Sequence, residues 1–389
     1  MSPPSNAYLR PDQLQQMEPF FPLHAFVCSD CKLVQLEQFQ SPDEIFSDYA
    51  YFSSFSDSWL KHAEKYVESM TARLSLTSKN QVIEIASNDG YLLQYFQKRG
   101  IPVLGVEPAA NVAEVARGKG VPSKVAFFGK ETATLLREEG IIPDLLLGNN
   151  VLAHVPDLND FVAGMKILLA KQGTITMEFP HILKLIEFNQ FDTIYHEHFS
   201  YFSLLTIQKV FAHHGLHVFD VDELPTHGGS LRIFAQHAEA NSQDTPAIAS
   251  VLSAERNAGL DSMDAYAAFD EKVRATKRNL LRFLIKAKRQ KKSIVGYGAA
   301  AKGNTLLNYC GIRGDFVDYV VDRSPHKQGR FLPGTHLPIL SPDKIFQTKP
   351  DYLLILPWNL QNEVVEQMKG IREWGGRFVV PIPDVRILD

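Results

Sequence analysis

The stretch VIEIASNDGYLLQYF, residues 82–96, joins an apolar run to an amphipathic segment through a short polar loop. The apolar run predicts a buried strand that ends at Glu84, and the segment after Gly90 predicts a helix. Loops of this kind bring backbone N–H groups and a helix N-terminus close to a ligand. Because the loop has one glycine and no preceding G-x-G, it departs from the dinucleotide-binding pattern.

Short apolar runs alternate with helical stretches on either side of this loop and beyond it, from residue 80 onward. Such alternation predicts a parallel sheet covered by helices. The runs at 215–224 and 229–236 have no helix between them and predict an antiparallel pair at one end of the sheet. A second alternating unit begins at residues 293–311, SIVGYGAAAKGNTLLNYCG. We therefore predict an α/β protein with two Rossmann-like units.

Composition excludes several classes of protein. The 389 residues carry 40 basic and 44 acidic side chains, a net charge of -4, which gives no reason to propose nucleic acid or an anionic membrane as partner. In the basic helix predicted at 277–292, Leu281, Leu284 and Ile285 are expected to form a buried stripe, so its lysines are interpreted as a solvated face. No apolar run approaches a membrane-spanning length, and the start lacks a secretory pattern. With only three cysteines, we expect a cytoplasmic protein without a disulfide framework.

Polar residues follow three neighbouring strands of the first unit. Glu107 ends the second predicted strand, where an acid can accept both ribose hydroxyls of a nucleoside. The fourth strand ends in polar residues, and His154 lies on the turn behind it. These stations suit the amino acid moiety, ribose and adenine of S-adenosylmethionine, although a generic Rossmann-like domain with polar loops remains the alternative. The predicted cofactor-binding residues are Glu84, Ser87, Asn88, Asp89, Gly90, Glu107, Pro108, Asn149 and Asn150.

The segment TIYHEHFSYFS, residues 193–203, places two histidines around a glutamate. It is compatible with a metal site, an acid–base site or a packed turn. His196 and His198 would share one face of a strand. The zincin pattern, however, needs a histidine four residues after the first, and Ser200 lies there. The residues alone leave the acid–base site and the packed turn open.

An ordered set of motifs carries a family resemblance. The set comprises IEIASNDGYLLQYF (83–96), GVEPAANVAEVA (105–116), NNVLAHVPDLNDF (149–161), FPHILKLIEFNQFDTIYHEHFSYFS (179–203) and PTHGGSLRIF (225–234). Together these resemble the sugar C-methyltransferases, which use S-adenosylmethionine to methylate a carbon of nucleotide-linked 4-keto-6-deoxyhexoses. The resemblance covers nearly the whole chain, and the YHEH segment is its most specific part.

Transfer of a methyl group to carbon needs a carbanion equivalent, and the hydrogens alpha to a 4-ketone can be removed to form an enolate. A histidine with a pKa of roughly 6.5 suits the base. The resemblance implies that His198 is this base, with Glu197, Tyr195 and His154 beside it. It favours methylation at C3, with C5 as the alternative. The residues expected to face the sugar are Tyr49, Tyr51 and His196.

The second glycine loop, GYGAAAKGN (296–304), fits G-x-G-x-x-A, and Asp322 ends the next predicted strand. Taken alone, this pattern indicates an NAD(P)-dependent oxidoreductase. Lys302 instead suits a free diphosphate, and the resemblance assigns this domain to the nucleotide diphosphate of the sugar, expected to be dTDP, with Gly298 and Lys302 as contacts. A domain that merely packs and dimerises is a third alternative. Either a monomer or a homodimer is compatible with the sequence.

The N-terminal sequence VCSDC contains Cys28 and Cys31, half of a four-ligand zinc site. The resembling family carries another cysteine pair upstream, which we expect this chain starts too late to include. His24 could supply a third ligand, but no fourth is evident, so we do not expect tight zinc binding. The pair also lacks the β-α-β context of a thioredoxin-type centre.

The resemblance and the pattern together imply a class I methyltransferase domain, a smaller Rossmann-like domain and a small irregular N-terminal module. The expected divisions are a remnant zinc-binding-type module (1–48), an S-adenosylmethionine-dependent methyltransferase domain (49–240), a helical connection (241–276) and a sugar-nucleotide-binding domain (277–389).

Overall fold

The computed structural model describes residues 1–42 and 52–388. The predicted sugar contacts Tyr49 and Tyr51 lie outside these residues. In chain order the described strands are β1 Ala25–Val27, β2 Val34–Leu36, β3 Val82–Ile85, β4 Val103–Glu107, β5 Ser123–Val125, β6 Leu145–Asn149, β7 Thr174–Pro180, β8 Ser200–Tyr201, β9 Leu216–Leu224, β10 Ser230–His237, β11 Ile294–Tyr297, β12 Val320–Val321, β13 Ile339–Leu340, β14 Tyr352–Ile355, β15 Arg377–Val380 and β16 Arg386–Leu388.

The helices vary from single turns to α10, which has 21 residues. In the described part of the chain they are α1 Asp57–Arg73, α2 Leu93–Lys98, α3 Ala110–Gly118, α4 Lys130–Glu138, α5 Leu158–Leu168, α6 Ile182–Glu187, α7 Leu204–His213, α8 Pro246–Asn257, α9 Asp264–Ala267, α10 Phe269–Arg289, α11 Ala301–Cys310, α12 Asp343–Thr348 and α13 Gln361–Gln367. None of these helices combines the length and the apolar character needed to cross a membrane.

The larger sheet has seven strands in the order β5-β4-β3-β6-β7-β10-β9. Its first five strands are parallel, whereas β10 runs antiparallel to both β7 and β9. The predicted antiparallel pair at one end of the sheet is therefore confirmed. Buried side chains of α1, α2 and α3 pack on one face, and those of α4, α5 and α7 pack on the other. The parallel strands are apolar because helices cover them on both faces.

The smaller sheet has the order β13-β12-β11-β14-β15-β16, with β16 antiparallel to β15 and the other pairs parallel. Its core includes the buried side chains of Val273, Leu280 and Leu284 on α10. Of the stripe predicted from Leu281, Leu284 and Ile285, Leu284 is buried, Leu281 is half-buried and Ile285 is exposed, so the buried face is turned towards Leu280 and the prediction holds only in part. Helix α10 begins at Phe269 and so runs across the domain boundary predicted at residue 276.

The N-terminal module is fastened to both larger units. Strand β2 pairs with both β1 and β8, and β8 lies just after the YHEH segment. The β1–β2 hairpin is therefore hydrogen-bonded to the chain next to that segment. Upstream, the side chains of Ser2 and Ser5 are buried, and the Tyr8 hydroxyl donates to the Ala299 carbonyl at 2.6 Å. The N-terminal residues thus lie between the YHEH segment and the smaller sheet.

Candidate active site

Glu84 lies at the carboxyl edge of the larger sheet with its side chain fully buried. Neither carboxyl oxygen has a hydrogen-bond partner of normal geometry among the residues the structure describes. Burial raises the pKa of Glu84 well above its usual value; nearby Tyr91 opposes this, and the charges of Glu107 and Asp89 add to it. A buried acceptor left in this state calls for a donor from a ligand.

Glu107 closes the loop after Glu84 from the neighbouring strand. Its two carboxylate oxygens accept the N–H groups of Asn88 and Ala109, each at 2.9 Å. Burial raises the pKa of Glu107 in spite of these bonds. Gly90 completes the loop with φ of +75°, a conformation that favours glycine, and a Cβ there would crowd Val121 Cγ2 at 3.0 Å.

The other predicted cofactor residues lie along the same edge. Ser87 and Asp89 each retain a buried side-chain oxygen that has no partner within residues 1–42 and 52–388. Asp89 Oδ2 also accepts from Lys119 Nζ at 2.9 Å. Pro108 directly follows Glu107, while Asn149 Nδ2 donates to the Tyr91 hydroxyl at 3.3 Å. The edge therefore offers several acceptors, which fits the cationic amino group and hydroxyls of S-adenosylmethionine.

His198 is held in one tautomer. Its Nδ1 lies 2.8 Å from the Thr193 carbonyl oxygen, which can only accept, so Nδ1 carries the proton. Its Nε2 lies 2.8 Å from the Tyr195 hydroxyl and accepts from it. The geometry leaves Nε2 as the basic nitrogen and presents it beside a phenol.

The electrostatic surroundings differ from the near-neutral base expected from the sequence. Burial lowers the pKa of His198 well below its usual value, and His154 and Lys302 lower it further, against the Thr193 hydrogen bond. The expectation of a pKa near 6.5 is wrong for the protein without ligands, because burial penalises the imidazolium. Burial acts oppositely on Glu197 and raises its pKa to about 7, although Asn6 Nδ2 donates to it at 2.7 Å.

The other two predicted histidines lie in different places. The His154 ring stands edge-on to His198 with centroids 4.7 Å apart, and burial lowers the pKa of His154 to about 4. His196 instead donates from Nε2 to the Pro22 carbonyl at 3.0 Å, with its ring edge towards Phe21. The structure thus brings His154 to the base and directs His196 into the N-terminal module.

The metal interpretations find no supporting geometry. Within the described ranges, no three histidine, cysteine or acidic side chains converge on one point. Cys28 and Cys31 lie on the β1–β2 turn as free, partly exposed thiols. Hydrogen bonds from the backbone of Cys31 and Asp30 lower the pKa of Cys28, and burial raises that of Cys31. The residues present do not fit a closed zinc site, which needs four ligands.

A buried charged cluster at this edge was not predicted. Glu178 at the end of β7 accepts from His62 at 2.8 Å, from Arg232 at 2.5 Å and from Thr226 at 2.8 Å. Burial alone would raise the pKa of Glu178, but the His62 hydrogen bond and the Arg232 charge hold it at about 2. Arg232 lies in the quoted PTHGGSLRIF motif, whereas the position of His62 on α1 gave no signal.

Asn150 and His227 adjoin this cluster. Asn150 Nδ2 lies 2.9 Å from His227 Nε2. Burial lowers the pKa of His227 to about 4. Asn150 was predicted as a cofactor contact, and the structure joins it to a histidine that the sequence analysis passed over.

In the second glycine loop, the neighbouring acid Asp322 is hydrogen-bonded to the backbone. Asp322 accepts the N–H of Ala299 and that of Ser324, both at 2.8 Å, so its carboxylate fastens the loop. Gly298 has φ of +93°, and a Cβ there would lie 2.5 Å from Pro357 Cδ. This tight loop leads directly into α11.

Lys302 lies on the first turn of α11 and faces the larger domain. Its Nζ is 4.6 Å from the Trp358 ring centroid and 3.3 Å from Asn359 Oδ1. Burial lowers the pKa of Lys302 to about 8, and the charge of Asp192 opposes that shift. A cation at a helix N-terminus suits an anionic group such as phosphate.

Comparisons with known proteins identify the class of enzyme. Three family models match: "Putative zinc binding domain" over residues 1–46, "Methyltransferase domain" over 59–221 and "C-methyltransferase C-terminal domain" over 225–383. The methyltransferase match supports the predicted enzyme class and its methyl donor, S-adenosylmethionine. Among solved structures, magnesium protoporphyrin IX methyltransferase (ChlM) from Synechocystis PCC 6803 with bound SAH has a TM-score of 0.37 and 16% identity, over 45% of this chain and 82% of that one.

Two curated relatives complete the comparison. The ubiquinone biosynthesis O-methyltransferase of Bartonella quintana (strain Toulouse) is 29% identical over 96 residues, covering 24% of this chain and 39% of that protein. The C-methyltransferase NovU of Streptomyces niveus is 39% identical over 374 residues, covering 95% of this chain and 88% of that protein. On that near full-length likeness, the chain belongs to the C-methyltransferase family.

Proposed function

We propose that the protein transfers a methyl group from S-adenosylmethionine to C3, alpha to the ketone of a nucleotide-linked 4-keto-6-deoxyhexose. The observation that carries this proposal is the fixed tautomer of His198, which presents an unprotonated Nε2 at 2.8 Å from the Tyr195 hydroxyl. In this arrangement His198 Nε2 removes the alpha hydrogen as a proton. The electron pair left on the substrate carbon is delocalised onto the ketone oxygen.

Donors around His198 suit a developing enolate oxygen. Glu197, with its pKa raised to about 7, is substantially protonated at neutral pH and can donate to that oxygen. The Tyr195 hydroxyl can donate there too when its single proton turns from His198 Nε2 to the substrate, which also frees Nε2 to act as the base. Donors placed where charge develops lower the barrier of such steps. When bound, S-adenosylmethionine supplies an electrophilic methyl group to the carbon nucleophile. Glu84, Ser87 and Asp89 would hold that cofactor through their buried side-chain oxygens.

The diphosphate of the substrate has a matching position at Lys302. The Lys302 charge is one of the causes that lower the pKa of His198. A phosphate bound at Lys302 would offset that charge, so the base strength of His198 would rise as the substrate binds. This coupling accounts for a base that is weak in the free protein and stronger with the sugar nucleotide in place.

The direct test is an NMR assay with a dTDP-4-keto-6-deoxyhexose and methyl-13C S-adenosylmethionine. We expect label on C3 of the sugar and release of S-adenosylhomocysteine. Label on C5 would move the reaction to the other alpha carbon. NAD(P)-dependent reduction of the ketone without label transfer would overturn the proposal in favour of an oxidoreductase.

The role of His198 is tested by exchange of the alpha hydrogen in deuterated water. His198→Ala should bind S-adenosylmethionine normally and lose exchange by about a hundredfold or more, since general bases contribute on that scale. His213→Ala, at the exposed end of α7, is the matched control and should exchange like the wild type. Unchanged exchange in His198→Ala would remove this residue from the role of base.

A further inference from the structure

Asp192 is a buried acid that the proposed mechanism does not use. Its side chain has no exposed surface, and its Oδ2 accepts the indole N–H of Trp358 at 2.8 Å. Its Oδ1 has no hydrogen-bond partner in the described part of the chain. Burying such a group is costly, so its retention calls for a reason.

The partner of Asp192 belongs to the smaller sheet. Trp358 opens the single-turn helix Trp358–Leu360, which follows β14. The indole is confined on several sides, because Lys302 Nζ lies 4.6 Å from its ring centroid and Gly228 approaches its edge. A Cβ on Gly228 would lie only 2.5 Å from Trp358 Cη2. The Asp192–Trp358 bond therefore joins the two domains at a fixed point.

The residue after Asp192 holds the base. Asp192 is the middle residue of the turn Phe191–Thr193, and the Thr193 carbonyl accepts the Nδ1–H of His198 at 2.8 Å. The Thr193 hydroxyl in turn donates to the Gln190 carbonyl at 2.8 Å, which keeps the turn closed. One short turn thus contacts the smaller domain through Asp192 and sets the His198 tautomer through Thr193.

We propose that Asp192 is a positioning residue that, through its hydrogen bond with Trp358, keeps the Thr193 carbonyl aligned with His198. The contact of the smaller domain with Asp192 and the orientation of the His198 ring are then coupled. The charge of Asp192 also opposes the depressed pKa of Lys302, but the alignment depends on Asp192 as an acceptor. The consequence for catalysis rests on the proposed role of His198.

Three variants separate the acceptor from the charge. Asp192→Ala removes both, Asp192→Asn keeps an acceptor for the indole, and Trp358→Phe removes the donor while keeping an aromatic ring beside Lys302. Trp374→Phe is the matched control, since Trp374 Nε1 donates to the Pro350 carbonyl at 3.0 Å within the smaller domain. Thermal unfolding of each variant identifies any that fail to fold, and Trp358→Phe remains informative if Asp192→Ala does.

We expect Asp192→Ala and Trp358→Phe each to slow alpha-hydrogen exchange about tenfold, on the scale of losing a buried hydrogen bond. The effect should lie in kcat, with KM for the sugar nucleotide little changed. The double variant should be no slower than the slower single variant, because both changes break one interaction. Asp192→Asn should remain within about threefold of the wild type, as should Trp374→Phe. Additive losses, or an Asp192→Asn variant as slow as Asp192→Ala, would overturn the proposal.

A second measurement needs no substrate. Amide hydrogen exchange of residues 191–198, followed by mass spectrometry, should quicken in Asp192→Ala and Trp358→Phe but not in Trp374→Phe. If the wild type failed to exchange the sugar hydrogen while this pattern held, the proposed function would fail and the Asp192–Trp358 coupling would stand. Unchanged amide exchange in both variants would refute the coupling itself.

Discussion

The loops that follow β3 and β11 are held by the same kind of hydrogen bonds but differ in the charge of the side chains beside them. In each, a carboxylate from the adjacent strand accepts two backbone N–H groups: Glu107 fastens the first loop and Asp322 the second. The first loop lies beside the buried carboxyl of Glu84, whereas the second leads to the Lys302 ammonium. Two loops of the same backbone design therefore lie beside side chains of opposite charge type, an acid at the first and a lysine at the second.

This difference teaches that the strand–loop–helix unit supplies the cradle and one side chain selects the ligand. Backbone N–H groups at a helix N-terminus favour anions in both places. A buried acid at the first loop reverses that preference for a cationic group, while a lysine at the second reinforces it. Function thus lies in the side chains placed on a shared scaffold.

The largest expected effect comes from reversing the charge of the first loop. Glu84→Lys should weaken S-adenosylmethionine binding at least about a hundredfold, because a second cation would face the amino group in a buried site. Calorimetry should show thymidine diphosphate binding unchanged. Glu131→Lys, on the exposed face of α4, is the control. Should Glu84→Lys bind both ligands like the wild type, Glu84 would not select the cofactor.

The reciprocal change acts on the second loop. Lys302→Ala should weaken binding of thymidine diphosphate about tenfold or more and leave the S-adenosylmethionine affinity unchanged, since a charge-assisted bond is lost. Lys288→Ala, which removes a lysine paired with Asp318 elsewhere in the same domain, should bind both ligands normally. NAD(P) binding that depends on Lys302, with no binding of the diphosphate, would instead favour the oxidoreductase alternative.

Lowering the pH should change the stability of the methyltransferase domain in opposite directions through its buried histidine and its buried acids. Burial lowers the pKa of His154 to about 4, so the unfolded state takes up a proton before the folded state does. Its contribution to stability is complete above the unfolded pKa and is lost as pH falls towards 4. Asp192 and Glu197, with pKa values raised to about 7, act in the opposite sense.

Comparing the wild type with a His154 variant separates the contribution of this histidine from that of the two acids. Relative to its own value at pH 7.5, His154→Phe should retain on the order of 2 kcal/mol more unfolding free energy at pH 4.5 than the wild type. Urea unfolding at both pH values measures this. Parallel pH profiles of the two proteins would show that His154 is not the titrating group.

The smallest effect is expected in the N-terminal module. Cys28 and Cys31 provide two ligands where a structural zinc site needs four, so a chelator should shift the unfolding temperature by less than about 2 °C. Elemental analysis of the purified protein should find far less than one zinc per chain. A large chelator-induced drop would show that metal holds this module in spite of its two cysteines.

The polar edge of the larger sheet was predictable because the alternation of strands and helices implies a parallel sheet. Residues that end parallel strands must meet at one edge, so Glu84, Glu107 and Asn149 could be grouped from spacing alone. The direction of His196 could not be predicted, since it depends on Pro22, 174 residues away in the chain. The pKa of His198 was also beyond the sequence, because burial and its neighbours set it. Asp192 gave no signal for the same reason, as its partner Trp358 lies 166 residues further along.

The N-terminal segment has a consequence for the order of assembly. Asn6 reaches Glu197, Tyr8 reaches Ala299, and Ser5 lies 3.5 Å from the Thr305 hydroxyl across 300 positions of chain. Contacts so remote in sequence form late, because the intervening polypeptide must be ordered first. A nascent chain emerging from the ribosome can complete the larger sheet long before the smaller one. The newly made enzyme should therefore acquire affinity for its donor first and catalytic competence only after the last strands are released.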